Sequence, residues 1–299
     1  MIKIDSNVKV IATPKEMVGK KQKYKILMNN QLYIIKQGAI NYEIYAELIA
    51  EKLGKQVGID MAHYEVCEYN DTIGLITPVF LNDENEELVM SVKILLEASQ
   101  NICYENNIKY NLKGNTIENI VKAASLFDNR INIKELINEL VKRWIFYGMI
   151  MESDKNETNL SFIKNKEAML RISPDYDNST MARMNENIND LINVLGRGKD
   201  IFSLTDSIKT ALKIDESQSD EFIVNYREFV NEYGDFYKNI IESFKPLSID
   251  DAIEEVEKEN NIEVPWEVKF WLRKSIEARK NDMFNILNAK LSKENIKKI

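Results

Sequence analysis

Cysteine is scarce in this chain of 299 residues: Cys67 and Cys103 are the only two, with neither metal-ligand spacing nor disulfide density. Reduced thiols are the simple reading, and neither cysteine is a site candidate. There is one histidine, His63, in an apparent strand with no second base or nucleophile near it in sequence, so it reads as structural. No apolar run approaches the ~20 residues of a membrane span, and "MIKIDSNVKV" has neither the basic start nor the apolar stretch of a signal peptide. The expectation is a cytoplasmic protein with no membrane partner. Positive charge is also in deficit. A formal net charge of −8 opposes binding to nucleic acid, whose affinity comes from neutralising phosphates with Lys and Arg. No internal repeat or low-complexity tail is visible.

What is present suffices for an enzyme, since 44% hydrophobic content over this length can bury one large core or two lobes. The N-terminal part reads as strands. "YKILMN" and "LYIIK", separated by "NNQ", form a hairpin signal that ends near Lys36, and "NYEIYAELIAEKLG" then switches to helical spacing and stops at Gly54. "HYEVCEY" and "TIGLITPVFL" supply further strands. Beyond the acidic break "NDENEE" the pattern is mainly helical. Asn115 with Glu118 suggests a capping box for "IENIVKAASLF", and "IKELINELVKRWIFYGMIM" predicts a helix whose second half is buried. Apolar residues from Phe222 to Phe244 step by three and four, and Pro265 opens a long final helix in which Trp266 and Trp271 read as core. The expected architecture is α+β with two lobes. A β-rich lobe over residues 1–85 carries one helix, and a helical lobe over 86–299 carries a hairpin.

The chemistry is concentrated between Tyr147 and Asn178. Phosphoryl transfer needs a phosphate cradle, a cation, oxygens that hold metal, and a carboxylate facing the attacking hydroxyl. Asp154 and Asn159 stand five residues apart, and Asp177 follows the hairpin "LSFI" and "AMLRI". That is the order of base, first metal ligand and second metal ligand in a protein-kinase catalytic loop. The D-x-x-x-x-N spacing alone is weak, because most such pairs are turns with an Asx cap; the ordered set is stronger. Lys36 occupies the place of a phosphate-holding strand lysine, and the basic turn "KEMVGKKQKYK" around Gly19 precedes it as a phosphate-covering loop should. Without that context the turn would be a solvated surface. Glu152 reads as a solvated carboxylate.

These residues carry a resemblance to the HipA-like bacterial serine/threonine kinases, a family with a two-lobed fold distantly related to protein kinases and phosphatidylinositol kinases. "GKKQKYKIL" and "LYIIK" resemble the family's phosphate loop and strand lysine, aligning Gly19, Lys23 and Lys36. "NYEIYAELIAEKLG" resembles its first helix and matches Glu43 to a recurrent glutamate. "DKNETN" resembles the D-x-H-x-x-N catalytic loop, with Asn156 in place of histidine, and "ISPDYD" the S-P-x-Y-D metal motif. The resemblance covers about Gly19 to Asp177 and implies a short form without the extra N-terminal subdomain of longer members. It implies an ATP- and Mg²⁺-dependent kinase acting on Ser or Thr of a protein substrate, with an antitoxin-like protein as a further partner. In that reading Asp154 is the base and Asn159 and Asp177 hold the metal. Gly19, Lys23 and Lys36 hold phosphates, Glu43 pairs with Lys36, and the backbone of Val79, Phe80 and Leu81 meets adenine. Glu47 lies on the same helical face as Glu43. The segment after Asp177, with Arg183, Arg197 and Lys199, reads as a mobile polar acceptor loop. The alternatives are a nucleotide-binding pseudokinase serving as an interaction module, which Asn156 and the glycine-poor loop favour, and a lipid or small-molecule kinase of the same fold.

Overall fold

The structure is a computed structural model that describes residues 1–13, 22–37, 42–81, 85–106, 116–155, 159–205, 230, 233–234 and 236–297. Its first part is a six-stranded sheet of β1 (Ile2–Lys3), β2 (Lys9–Ala12), β3 (Gln22–Met28), β4 (Gln31–Gln37), β5 (Glu65–Tyr69) and β6 (Thr72–Pro78), in the order β1-β5-β6-β4-β3-β2. Two tight hairpins fix the register. Asn29 and Asn30 join β3 to β4, and Asn70 and Asp71 join β5 to β6, all four at positive φ. Asn and Asp tolerate that left-handed conformation, and a pair of such residues gives a turn whose twist matches the strands. Strand β4 pairs with both β3 and β6, which sets Lys36 opposite Lys23 on one side and Leu75 on the other. Gly74 on β6 allows that approach, because a Cβ there would lie 2.6 Å from the Lys36 carbonyl oxygen.

Helix α1 (Glu43–Gln56) buries Ala46, Leu48, Ile49, Ala50 and Leu53 in the large core that also contains Trp144 and Trp271. A smaller cluster of Ile4, Ile26, Ile35, Cys67, Tyr69 and Ile76 lies within the sheet, and burial there pushes the Cys67 thiol up to about 12. His63 stands between α1 and β5 rather than in a strand, its Nδ1 2.8 Å from Glu51 Oε1. The lone histidine thus serves the packing of α1, since the same carboxylate also accepts the Tyr64 backbone N–H at 2.8 Å.

In the second part, α2 (Ser91–Asn106), α3 (Ile117–Phe127) and α4 (Ile133–Ile150) follow one another. The α3 cap is Thr116, whose Oγ1 accepts from the Asn119 backbone N–H at 3.0 Å, one residue later than expected; Asn115 lies outside the described residues. The second half of α4 is buried as its apolar surround requires. Strands β8 (Ser161–Lys164) and β9 (Leu170–Ile172) form the expected hairpin, but β7 (Glu87–Met90) adds a third strand beside β8. Its four residues run directly into α2, so no turn signal separates them from a helical pattern.

After a 3-10 turn at Met181–Arg183 come α5 (Ile188–Gly196), α6 (Ile201–Thr205) and short helical pieces, then helices Ile249–Asn260 and Trp266–Lys297. Residues 222–229 of the expected aromatic stripe lie outside the described residues; Phe244 at its far end is buried. Trp271 is buried and donates from Nε1 to the Ala182 carbonyl at 2.6 Å, whereas Trp266 is 67% exposed and is not core. Five residues of helix turn through about 140° beyond a full circle, so the two rings cannot share a face. Among the described residues no helix is long and apolar enough to cross a membrane.

Candidate active site

Lys36 carries the centre of the site. It is buried near the end of β4, and its Nζ meets Glu47 Oε1 and, at 2.5 Å, Asp177 Oδ1. Burial alone would lower the lysine pKa, but the charges of Glu47 and Asp177 outweigh it and hold the ammonium well above its ordinary value. The pairing carboxylate is therefore Glu47 and not the expected Glu43, which is buried at the first residue of α1. Positions 43 and 47 are stacked one turn apart on the same face, and only the second reaches the depth of the lysine. Glu47 Oε2 also accepts the Asn178 backbone N–H at 2.7 Å, which ties α1 to the segment that carries Asp177.

Asp177 sits at φ +62°, in the left-handed region that a non-glycine residue enters at a cost. Burial pushes its carboxyl upward, but the Lys36 charge and hydrogen bond, with Lys23 and Lys155 behind them, hold it well below the usual carboxylate range. It is an ionised oxygen donor within the field of three lysines. Lys23, across the β3–β4 ladder from Lys36, is thus brought to the same charge. Gly19 and the rest of the basic turn before Gln22 lie outside the described residues.

The loop with Asp154 begins where α4 ends. Met151 takes the left-handed conformation that stops the helix, at φ +58°. Glu152 follows, and it is fully buried rather than solvated. Its Oε1 accepts the Asp154 backbone N–H at 2.8 Å and the Thr180 hydroxyl, while Oε2 has no hydrogen-bond partner among the described residues. Burial, only partly offset by Lys155, pushes this carboxyl up to about 7. The clue missed here was the buried apolar end of α4, because a residue that directly follows it, with its backbone N–H still bonded to the Tyr147 carbonyl, starts at the same depth. Asp154 itself is exposed. Asn159 donates from Nδ2 to the Asp154 carbonyl at 2.5 Å, which closes the loop; Asn156 lies outside the described residues.

Val79, Phe80 and Leu81 leave β6 beside this site. The Val79 N–H is taken by the Leu32 carbonyl at 2.9 Å, and the Phe80 ring packs 5.8 Å from that of Tyr176. The segment after Asp177 is not the polar acceptor loop expected from its composition. Met181, Ala182 and Met184 are buried, and Arg183 is held by Glu186 and the Leu204 carbonyl. Only Gly196–Asp200, with Arg197 and Lys199, is exposed throughout. Asn159 and Asp177 offer the oxygen atoms that Mg²⁺ takes, and no cluster of three or more His, Cys, Asp or Glu that could hold a metal occurs among the described residues. Mg²⁺ is commonly held by one or two such side chains together with substrate phosphates, so this donor set fits it.

The family model described as the HipA-like C-terminal domain matches residues 12–259. The chain belongs to the HipA-like family. The match spans every residue of the constellation. Among solved structures the HipA-like chain is similar to a proinflammatory kinase of Helicobacter pylori, CtkA, at a TM-score of 0.72 and 16% identity, covering 96% of this chain and 97% of that one. It is also similar to HipA of Shewanella oneidensis, solved with HipB and operator DNA, at a TM-score of 0.56 and 16% identity, covering 97% of this chain and 67% of that one. No curated protein sequence matches. The fold is thus the α+β kinase-like fold, with a sheet-bearing part and a helical part. Sequence reasoning missed Lys155 and Asp175, which are buried against each other. A lysine directly after Asp154 and an acid inside "SPDYD" were the available signals.

Proposed function

We propose that this HipA-like protein is an ATP- and Mg²⁺-dependent kinase that phosphorylates serine or threonine on proteins. The observation that supports it best is Lys36 bonded at once to Glu47 of α1 and to Asp177, an ionised carboxylate in a strained backbone conformation. A structural lysine needs one counter-charge. One that bridges a helix glutamate and a metal-type aspartate has the arrangement that holds nucleotide phosphates in kinases. Bound Mg·ATP supplies the transferable phosphoryl group and neutralises its charge. Asp154, exposed at the loop tip, orients the acceptor hydroxyl and takes its proton. Asn159 and Asp177 hold the metal. Lys36 and Lys23 bind phosphate oxygens, and the main chain of Phe80 and Leu81 receives the base, since the Val79 N–H is already engaged.

Proteins rank first as acceptors because the chain is acidic overall, with a formal net charge of −8 that opposes docking on an anionic lipid surface. An antitoxin-like protein partner and a cytoplasmic location belong to the same reading. Incubation with γ-labelled ATP and Mg²⁺, alone and with cell extract, tests it by mass spectrometry. Phosphoserine or phosphothreonine on this protein or on an extract protein supports it. Label only in lipid or free metabolite refutes the acceptor class. Metal-dependent nucleotide binding without any transfer would establish the second reading, a pseudokinase, which Asn156 at the histidine position of the loop motif favours.

A further inference from the structure

We propose that the buried ion pair between Lys155 and Asp175 is the positioning element that fixes Asp154 relative to Asp177, acting on turnover and not on nucleotide affinity. The inference rests on the reading of Asp154 as base and Asp177 as metal ligand. It concerns two residues that the motifs D-x-H-x-x-N and S-P-x-Y-D leave unspecified. Lys155 directly follows Asp154, and the two side chains go opposite ways: Asp154 to solvent, Lys155 into the core, where it is 1% exposed. Its Nζ lies 3.0 Å from Asp175 Oδ1, donates to the Tyr176 carbonyl, and sits over the rings of Tyr147 and Tyr176 at 5.1 and 5.9 Å. One side chain thereby joins the residue after the candidate base to the two residues before the candidate metal ligand.

Asp175 is itself anchored on every side. Its Oδ2 accepts the Tyr147 hydroxyl and lies 3.6 Å from Arg143 Nη1, and its Oδ1 accepts from Asn178 Nδ2 at 2.9 Å. Its backbone N–H donates to the Asp60 carbonyl at 2.7 Å, and its carbonyl accepts from Ala62 at 2.8 Å. Tyr147 and Arg143 belong to α4, the helix that ends just before the Asp154 loop. Helix end, loop and metal segment therefore share one buried charge cluster. Stability is a poor explanation for such a pair, because a buried ion pair is often no better than apolar residues of equal volume. What apolar residues cannot supply is directional bonding that holds two loops in one register, and phosphoryl transfer depends on that registration.

The test compares wild type with Lys155→Met, Lys155→Arg and the double variant Lys155→Met, Asp175→Asn. The readouts are kcat, the calorimetric dissociation constant for Mg·ATP, thermal melting, and hydrogen exchange at residues 152–155 and in β3–β6. The expected result for Lys155→Met is a fall in kcat on the order of 10–100-fold, with the dissociation constant within about threefold of wild type. Exchange should quicken at residues 152–155 and not in β3–β6, and Lys155→Arg should recover part of kcat. Should Lys155→Met fail to fold because Asp175 is left uncompensated, the double variant carries the same comparison. A kcat within about twofold of wild type in folded protein overturns the proposal, as does exchange that quickens evenly across the chain. If wild type transfers no phosphate, the kinase reading fails first. Loop-confined exchange then supports the pair as the link between the two loops, and even exchange overturns it.

Discussion

Asp177 combines three features that rarely coincide in a purely structural aspartate: a left-handed backbone, a lysine at 2.5 Å, and a carboxyl held well below its usual range. Strain of this kind persists where the surroundings over-determine it, and it clusters at ligand sites. Asp177→Asn should therefore weaken Mg·ATP binding by about tenfold or more, whereas Asp154→Asn should leave binding near wild type and cut turnover by about 10²–10⁴-fold. Calorimetry and labelled-phosphate transfer on both variants check this; turnover at the wild-type level in both would sink the assignment. Glu152 gives a separate readout in pH. Its folded carboxyl is raised to about 7 by burial, so the folded state keeps a proton that the unfolded state releases nearer 4.5. Stability from this group is complete below about 4.5, falls as pH rises toward 7, and is level above that. Glu152→Gln should melt with wild type near pH 4.5 and be more stable by about 3 kcal/mol at pH 8. Asp154, Asn159 and Asp177 could be singled out in the sequence as candidates because they are closely spaced around one hairpin, and Lys36 because it ends a strand pattern just before a helical one. The choice between Glu43 and Glu47 stayed open, and Glu152, Lys155 and Asp175 were passed over, because what distinguishes these residues is depth, and depth depends on which elements later pack over them.

Elements were readable where a local rule decides them. The Asn29–Asn30 and Asn70–Asp71 turns announce both hairpins, and the buried half of α4 follows from an apolar surround. Strand β7 had no such rule, since four residues continuous with α2 pair only through β8. The choice between Glu43 and Glu47 likewise needed the packed position of β4 against α1. Glu47→Gln should lose both the Lys36 charge pair and the strong acceptor of the Asn178 N–H, and weaken nucleotide binding by about tenfold or more, while Glu43→Gln should change it little. Gly74 ties the same geometry to β6. A Cβ at that position meets the Lys36 backbone at 2.6 Å, so Gly74→Ala must move β4 or β6 and should cost about 1–3 kcal/mol by denaturant melting.

At the scale of the whole molecule, the division of the sequence at residue 85 sets the six-stranded sheet apart from most of the helices but does not separate cores. Helix α1 lies in the same hydrophobic cluster as Trp144 and Trp271, and Lys52 on it reaches Glu255 and Glu259 of the Ile249–Asn260 helix. Gln56 exchanges two hydrogen bonds with the Ser248 backbone, and Asn260 takes the Val66 N–H through its side chain at 2.9 Å and the chain's amino terminus through its carbonyl at 3.0 Å. These contacts join residues about 190 or more positions apart, far beyond the reach of any periodicity argument. They imply that α1 unfolds with the helices rather than with the sheet that precedes it. Ile49→Ala, which opens a cavity in the shared core, should lower global stability by about 2–5 kcal/mol. Fluorescence of Trp144 and Trp271 and hydrogen exchange in α1 should then report one transition at the same denaturant concentration. Ile35→Ala, in the small sheet cluster, should instead quicken exchange in β3, β4 and β6 while the tryptophan transition moves less. A tryptophan transition that ignores Ile49→Ala while α1 exchanges freely would show instead that the segment before residue 85 carries its own core.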